Sequence, residues 1–168
     1  MNKINPKLYK VRRLQKEGFL GKYKNWRTQG IVIHLTGNFV YSLPNFENKK
    51  APSCLLLTDG VDDPQNLGQI IRTCECAGVN KIILTQNRSV KLSDTSLQVS
   101  QGAFTDISFY ICTNLRRTLD ILKKYNYWLI ALENSIDVKQ WYKIDLKGKV
   151  GIILGSEGKG IRRLTLEN

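Results

Sequence analysis

Cys54-Leu-Leu-Leu-Thr58, Asp63-Pro64, then Leu67, Ile70, Ile71, Cys74 and Ala77 up to Gly78, then Lys81-Ile-Ile-Leu84: this stretch decides the fold. The first run is short and continuously apolar, as a strand buried on both faces must be. Asp63 is a natural N-cap, and Pro64 suits the first helical position, where a backbone donor is not needed. The apolar residues that follow recur at helical spacing until Gly78, which can end a helix in a left-handed turn. A second apolar run then completes a strand–helix–strand unit.

Toward the C-terminus the pattern repeats. Ser93 caps a short helix that Gly102 ends, and residues 107–111 read as a third strand. Leu115, Leu119, Leu122 and Tyr125 mark the next helix, and residues 127–132 the next strand. Residues 150–154 form the last strand, which runs into a glycine-rich turn and the start of a helix at Ile161. This alternation predicts an α/β fold with a mostly parallel sheet and helices on both faces.

The N-terminal part is of another kind. Residues 1–50 hold eleven Lys/Arg against Glu17 and Glu47, whereas residues 51–168 hold fifteen against twelve acids. A basic arm and linker (1–50) thus precedes a nearly neutral α/β domain (51–168). The arm reads as helical up to Gly18 and Gly21, which break it; residues 31–35 are β-prone, and residues 43–52 form a polar linker. Such an arm suits a polyanion, most simply nucleic acid. Arg12, Arg13, Lys22, Lys24, Arg27 and Arg88 are the candidate phosphate contacts, with Tyr9, Tyr23 and Trp26 interleaved to stack bases. A generic solubilising charge or an organellar transit peptide are the alternative readings of the same composition.

Other classes are excluded. No apolar run approaches the ~20 residues of a membrane span. Cys54, Cys74, Cys76 and Cys112 lack paired CxxC spacing, and His34 is the only histidine, so no metal site is expected; the cysteines read as buried and reduced.

Open parallel sheets bind ligands where the C-terminal ends of strands meet loops. Two loops occupy such ends, one spanning Asp59 to Arg72 and the other Ile153 to Ile161. In the first, Gln65, Gly68 and Arg72 share a helical face, so Arg72 is expected to lie over the bare backbone at Gly68 and point toward the helix N-terminus, beside an anion site. The alternative is a structural arginine paired with Asp62 or Asp63. The second loop fits neither the P-loop nor the dinucleotide fingerprint, because its glycines run G-x-x-G-x-G. It leaves a turn that backbone and ligand can share, carrying one carboxylate, Glu157.

Together the two loops resemble something specific. Asp59-x-Val61-x-Asp63-Pro64-x-Asn66-x-Gly68-x-Ile70-x-Arg72-Thr73 looks like the first signature of the SpoU-type (TrmH family) RNA ribose 2′-O-methyltransferases, and Leu154-Gly155-x-Glu157-x-x-Gly160 looks like their second. Arg88-Ser89, Ser100-x-Gly102-Ala103 and Gln29-Gly30-Ile31 also match that family's habit, and Gln69 replaces a usual small residue. The likeness is strongest to the bacterial members that methylate a guanosine ribose in large-subunit rRNA. It covers about residues 27–168.

The resemblance implies a SPOUT-like domain with an α/β knot, working as a homodimer on rRNA, with tRNA the other RNA class, in a bacterial cytoplasm or an organelle. It implies S-adenosylmethionine (SAM) as cofactor, bound on the backbone of the second loop at Gly155, Ser156 and Gly160. Asn66 and Arg72 match the family's catalytic pair, and Glu157 matches its second-loop acid. The third signature, which threads the knot and lines much of the SAM pocket, does not occur before residue 168, so the catalytic domain reads as incomplete at its C-terminus. Arginine is effectively always protonated. Arg72 is therefore expected to grip the phosphate beside the target ribose and stabilise developing oxyanion charge, with Asn66 orienting the hydroxyl or Arg72, and Glu157 holding the loop or Arg72. The competing reading is a catalytically inactive remnant that acts as a basic RNA-binding module.

Overall fold

The computed structural model describes residues 12–26, 28–36, 38–47, 53–87, 89–134 and 139–167. The chain divides into two compact units, Met1–Gly37 and Asn38–Asn168.

In the first unit, helix α1 (Lys16–Lys22) runs straight through Gly18 and Gly21, which were expected to break it. No side chain packs onto either glycine position. The helix end is braced instead by Phe19 against Tyr23, four residues on, with ring centroids 5.0 Å apart. Residues 31–35 form no strand, and Ile31 and Ile33 are exposed. Among the described residues of this unit no other strand exists to pair with them.

The second unit holds a six-stranded, wholly parallel sheet: β1 (Val40–Ser42), β2 (Cys54–Asp59), β3 (Lys81–Thr85), β4 (Ser108–Cys112), β5 (Trp128–Leu132) and β6 (Val150–Gly155). The spatial order is β1-β4-β3-β2-β6-β5. Residues 38–47, read from sequence as arm and linker, belong to this unit. β1 pairs with β4, and Phe46 is buried with its ring 5.9 Å from that of Tyr127.

Strand alternation explains why both faces of the sheet are covered. Leu55, Leu57, Ile83 and Ile153 point to one face, where helix α4 (Leu115–Lys124) buries Leu115, Leu119 and Leu122. Leu56, Ile82, Leu84 and Phe109 point to the other, where helix α2 (Pro64–Cys76) buries Leu67, Ile71 and Cys74. The second cover is incomplete. Beyond α2, Ile152 and Leu154 stay half-buried and Leu132 is exposed, leaving an apolar groove over β6 and β5. The cysteines are unpaired; Cys74 and Cys112 are buried and Cys54 half-buried, but Cys76 is exposed, because it falls on the outer face at the end of α2.

Helix caps follow the sequence. Asp63 accepts from the Gln65 N–H at 2.9 Å, and Ser93 forms a capping box with Ser96 at the start of α3 (Asp94–Val99). Gly68 has a different task from the one expected. It is buried under α3, where a Cβ would lie 2.5 Å from Val99 Cβ and 2.9 Å from the Ser96 carbonyl oxygen. The bare backbone at Gly68 is therefore a helix–helix contact and not a seat for Arg72.

Gly68→Ala should gain helix propensity of about 1 kcal/mol and lose more to overpacking against α3, typically ~1–3 kcal/mol. Net destabilisation by up to about 2 kcal/mol, read from urea unfolding at unchanged m-value, is the expected result.

Candidate functional site

The chain lays β3 and β4 down on one side of β2, then places β5 and β6 on the other, with β6 next to β2. The boundary between β2 and β6 is thus the point at which strand order reverses, the usual seat of a ligand in such sheets. At this boundary Asp59 and Gly155 are register partners on adjacent strands. Each ends its strand, so both motif loops leave the sheet from the same place.

Two contacts bind the loops together. Asn66, in the first turn of α2, donates from Nδ2 to Glu157 Oε2 at 2.7 Å, across 91 residues of sequence. Asp59, with no exposed side-chain surface, accepts from the Arg162 backbone N–H at 3.0 Å, from Arg162 Nε, and from the Thr165 hydroxyl at 2.8 Å. The second contact fixes the chain just after the glycine loop and at the start of α5 (Arg163–Leu166). Charge-assisted bonds of this kind to a buried carboxylate are the stronger sort.

The glycine loop between these anchors is closed on itself. The Ser156 N–H donates to the Gly160 carbonyl at 3.1 Å, and the Gly160 N–H returns to the Ser156 carbonyl at 2.9 Å. A Cβ on Gly155 would sit 2.2 Å from the Gly160 backbone, so only glycine permits this closure. Gly160 has φ +61, and a side chain there would press within 3.3 Å of the Glu133 carboxylate at the end of β5. Loop geometry alone therefore demands both glycines.

Arg72 is placed elsewhere. It lies six residues beyond Asn66, about 9 Å further along the helix axis and about 120° around it. It is exposed, pairs with neither Asp62 nor Asp63, and lines a polar cavity of about 390 Å³ with Glu75, Cys76, Ser100, Gln101, Gly102, Ala103 and Asp106. It does not point at the α2 N-terminus, because α3 fills the space above Gly68. Glu157 holds Asn66, and Arg72 is not one of its partners. The groove beyond α2, about 570 Å³, opens beside Asn66, Gly155 and Glu157 and is walled by Ile70, Ile152 and Leu154. Cys74 also lines it; burial, reinforced by nearby Cys54, pushes its thiol up to about 11, so it serves as an uncharged apolar wall.

Of the candidate RNA contacts, Arg12, Arg13, Lys22 and Lys24 are exposed around α1. Arg27 and Arg88 lie outside the described residues. Tyr23 is engaged within its own unit, by Phe19, by Trp26 (5.7 Å, edge-on) and by His34, whose Nε2 lies 3.2 Å from the tyrosine hydroxyl. Trp26 keeps half of its surface exposed. Tyr9 lies outside the described residues.

Residues 53–168 match the family model described as the SpoU rRNA methylase family. The chain belongs to the SpoU family. Among curated SpoU-type relatives, the 23S rRNA (guanosine-2′-O-)-methyltransferase RlmB of Pseudomonas aeruginosa is 40% identical over 144 residues. The RlmB of Escherichia coli K12 is 34% identical over 143. Each alignment takes in 83% of this chain and 58% of the relative, so the chain spans little more than half the length of these enzymes. The fold agrees with the AdoMet-bound rRNA methyltransferase of Sinorhizobium meliloti (TM-score 0.64, 23% identity, 76% of this chain and 49% of that one). It agrees as well with the TrmH/SpoU tRNA modifying enzyme of A. aeolicus (TM-score 0.62, 18% identity, 73% and 61%). Within the SpoU frame, the residues that sequence reasoning passed over are Arg162 and Thr165. Their one signal was Asp59, an acid ending an otherwise apolar strand.

In this SpoU chain Gly155→Ala should force the glycine loop open, since backbone and not a flexible side chain stands in the way. Overpacking of this sort costs ~1–3 kcal/mol. Calorimetric unfolding should show that loss, with circular dichroism unchanged in the sheet.

Proposed function

We propose that the chain carries the catalytic site of a SAM-dependent RNA ribose 2′-O-methyltransferase whose target is a guanosine of large-subunit rRNA. The observation that carries this reading is the junction of Asn66 and Glu157 beside the Gly155 loop, at the sheet's reversal point in a SpoU chain. SAM is the implied cofactor, and it supplies an electrophilic methyl group on a sulfonium. The groove suits it in one respect, apolar walls adjoining a polar mouth beside Gly155 and Glu157; Gly155, Ser156 and Gly160 are assigned to it as the closed turn that stands at that mouth.

The protein's own groups divide the remaining work. With Nδ2 committed to Glu157, the Asn66 carbonyl Oδ1 is the atom left to accept from the ribose 2′-hydroxyl and aim its lone pair. Glu157 thereby fixes the amide's orientation. Arg72, about 9 Å along the helix, holds a phosphate adjacent to the target and so fixes where the ribose lies; it is too far from Asn66 to touch the reacting oxygen. Because guanidinium stays protonated, it does not remove the proton. Positioning of this kind supplies much of the acceleration in such a transfer.

The exposed Arg12, Arg13, Lys22 and Lys24 are assigned to RNA phosphates; this assignment would survive even if the chain bound RNA without transferring a methyl. A homodimer is part of the proposal, and so is a bacterial cytoplasmic location. Among the described residues no helix is long and apolar enough to cross a membrane.

Transfer of labelled methyl from SAM to rRNA tests the proposal, with the product mapped by its resistance to alkaline cleavage. Arg72→Ala should lower transfer by about 100-fold through misplacement of the ribose and leave SAM affinity nearly intact. A folded variant that no longer binds SAM would move Arg72 into the cofactor site and contradict its assignment.

A further inference from the structure

The cavity around Arg72 is separate from the groove beside Gly155 and has a chemistry of its own. It lies where α2 meets the end of α3 and the 3₁₀ turn Ala103–Asp106. Its charged groups are one guanidinium, Arg72, and two carboxylates, Glu75 and Asp106. Among the described residues none of the three is in an ion pair, although Glu75 Oε2 accepts a weak bond from the Cys76 thiol at 3.7 Å. The rim is Gln101-Gly102, where both residues have positive φ, 52° and 93°. Gln101 holds this left-handed conformation without being glycine, which is uncommon.

We propose that this cavity is the pocket for a guanine nucleotide of the RNA substrate, with phosphate on Arg72 and the guanine base facing Glu75 and Asp106. The inference rests on the methyl-transfer reading above and adds the base-reading site to it. A guanidinium only donates and a carboxylate only accepts, so the cavity offers one end for an anion and one end for a donor. Guanine presents two adjacent donors, N1–H and the 2-amino group, which a single carboxylate accepts bidentately. Adenine places an acceptor, N1, where the first of those donors would be, and a carboxylate repels it. Uracil and cytosine each lack the adjacent pair. The volume, about 390 Å³, falls in the range of small-molecule pockets. Glu75 lies nine residues beyond Asn66 on the same helix, about 13 Å along its axis, so the base held here belongs to a nucleotide neighbouring the target and stands in fixed register with the hydroxyl held there.

The test is amide NMR of the ¹⁵N-labelled 168-residue chain, titrated separately with GMP, IMP, AMP and SAM. The expected result is saturable shifts at Glu75, Gln101, Gly102 and Asp106, with GMP bound about tenfold more tightly than AMP. IMP, which keeps N1–H and lacks the 2-amino group, should fall between. Arg72→Ala should weaken all three nucleotides alike. The Glu75→Gln, Asp106→Asn double variant should keep the dispersed spectrum of a folded chain and lose the preference for GMP. Equal affinity for GMP and AMP, absence of shifts at these amides, or a preference that survives the double variant would overturn the pocket. A chain that binds SAM and treats GMP and AMP alike would remove this inference and leave methyl transfer standing. A chain that prefers GMP here and ignores SAM would do the reverse.

Discussion

Asp59 ends β2 with its carboxylate wholly enclosed, and three donors from residues 162 and 165 converge on it. A buried carboxylate is tolerable only when it is fully partnered. The partners have to come from the chain that leaves β6, because Gly155 is the register neighbour of Asp59. The requirement runs in both directions. Burying Asp59 brings the segment after the glycine loop back across β2, and that return sets where the loop can stand. Glu157 then falls within reach of Asn66, and the end of the second motif meets the start of the first. The mouth of the groove and the orientation of the Asn66 amide follow from that one constraint.

Helix α2 acts as the ruler of the site. Its first turn meets Glu157, its buried stripe meets the sheet, Gly68 meets α3, and Arg72 and Glu75 meet the cavity on the far side. Four tasks on thirteen residues are compatible because a helix separates them by angle as well as by distance. The arrangement explains why the two members of the family-like pair, Asn66 and Arg72, do not touch. The hydroxyl and the phosphate of an RNA strand are apart as well, so a rigid spacing between their binding groups favours one register of the strand.

Much of the α/β unit was legible from residues 53–155, where apolar runs, an Asp-Pro start and Ser93 name their own elements. The Asn66–Glu157 junction was legible only as a resemblance, since no spacing rule links residues 91 positions apart. Four features were misread for local reasons. Gly68 looked like open backbone because a helical wheel does not show α3. Gly18 and Gly21 looked like breakers because propensity is a weak prior, and a ring pair in the next turn outweighs it. β1 was missed because three residues at a sheet edge carry little periodicity, while residues 31–35 carry more and have no partner strand among the described residues. Cys76 was read as buried from composition, although its position at the outer end of α2 places it in solvent.

The claim on which the account depends is that Asp59 holds the glycine loop in place before any ligand arrives. Native-state hydrogen exchange of Asp59→Asn against the parent chain tests it directly, read at the Ser156 and Gly160 amides, which bond to each other's carbonyls. The account predicts that both amides are protected in the parent and lose protection in the variant, with β2 and β3 amides unchanged. Equal protection of Ser156 and Gly160 in the two proteins would contradict it.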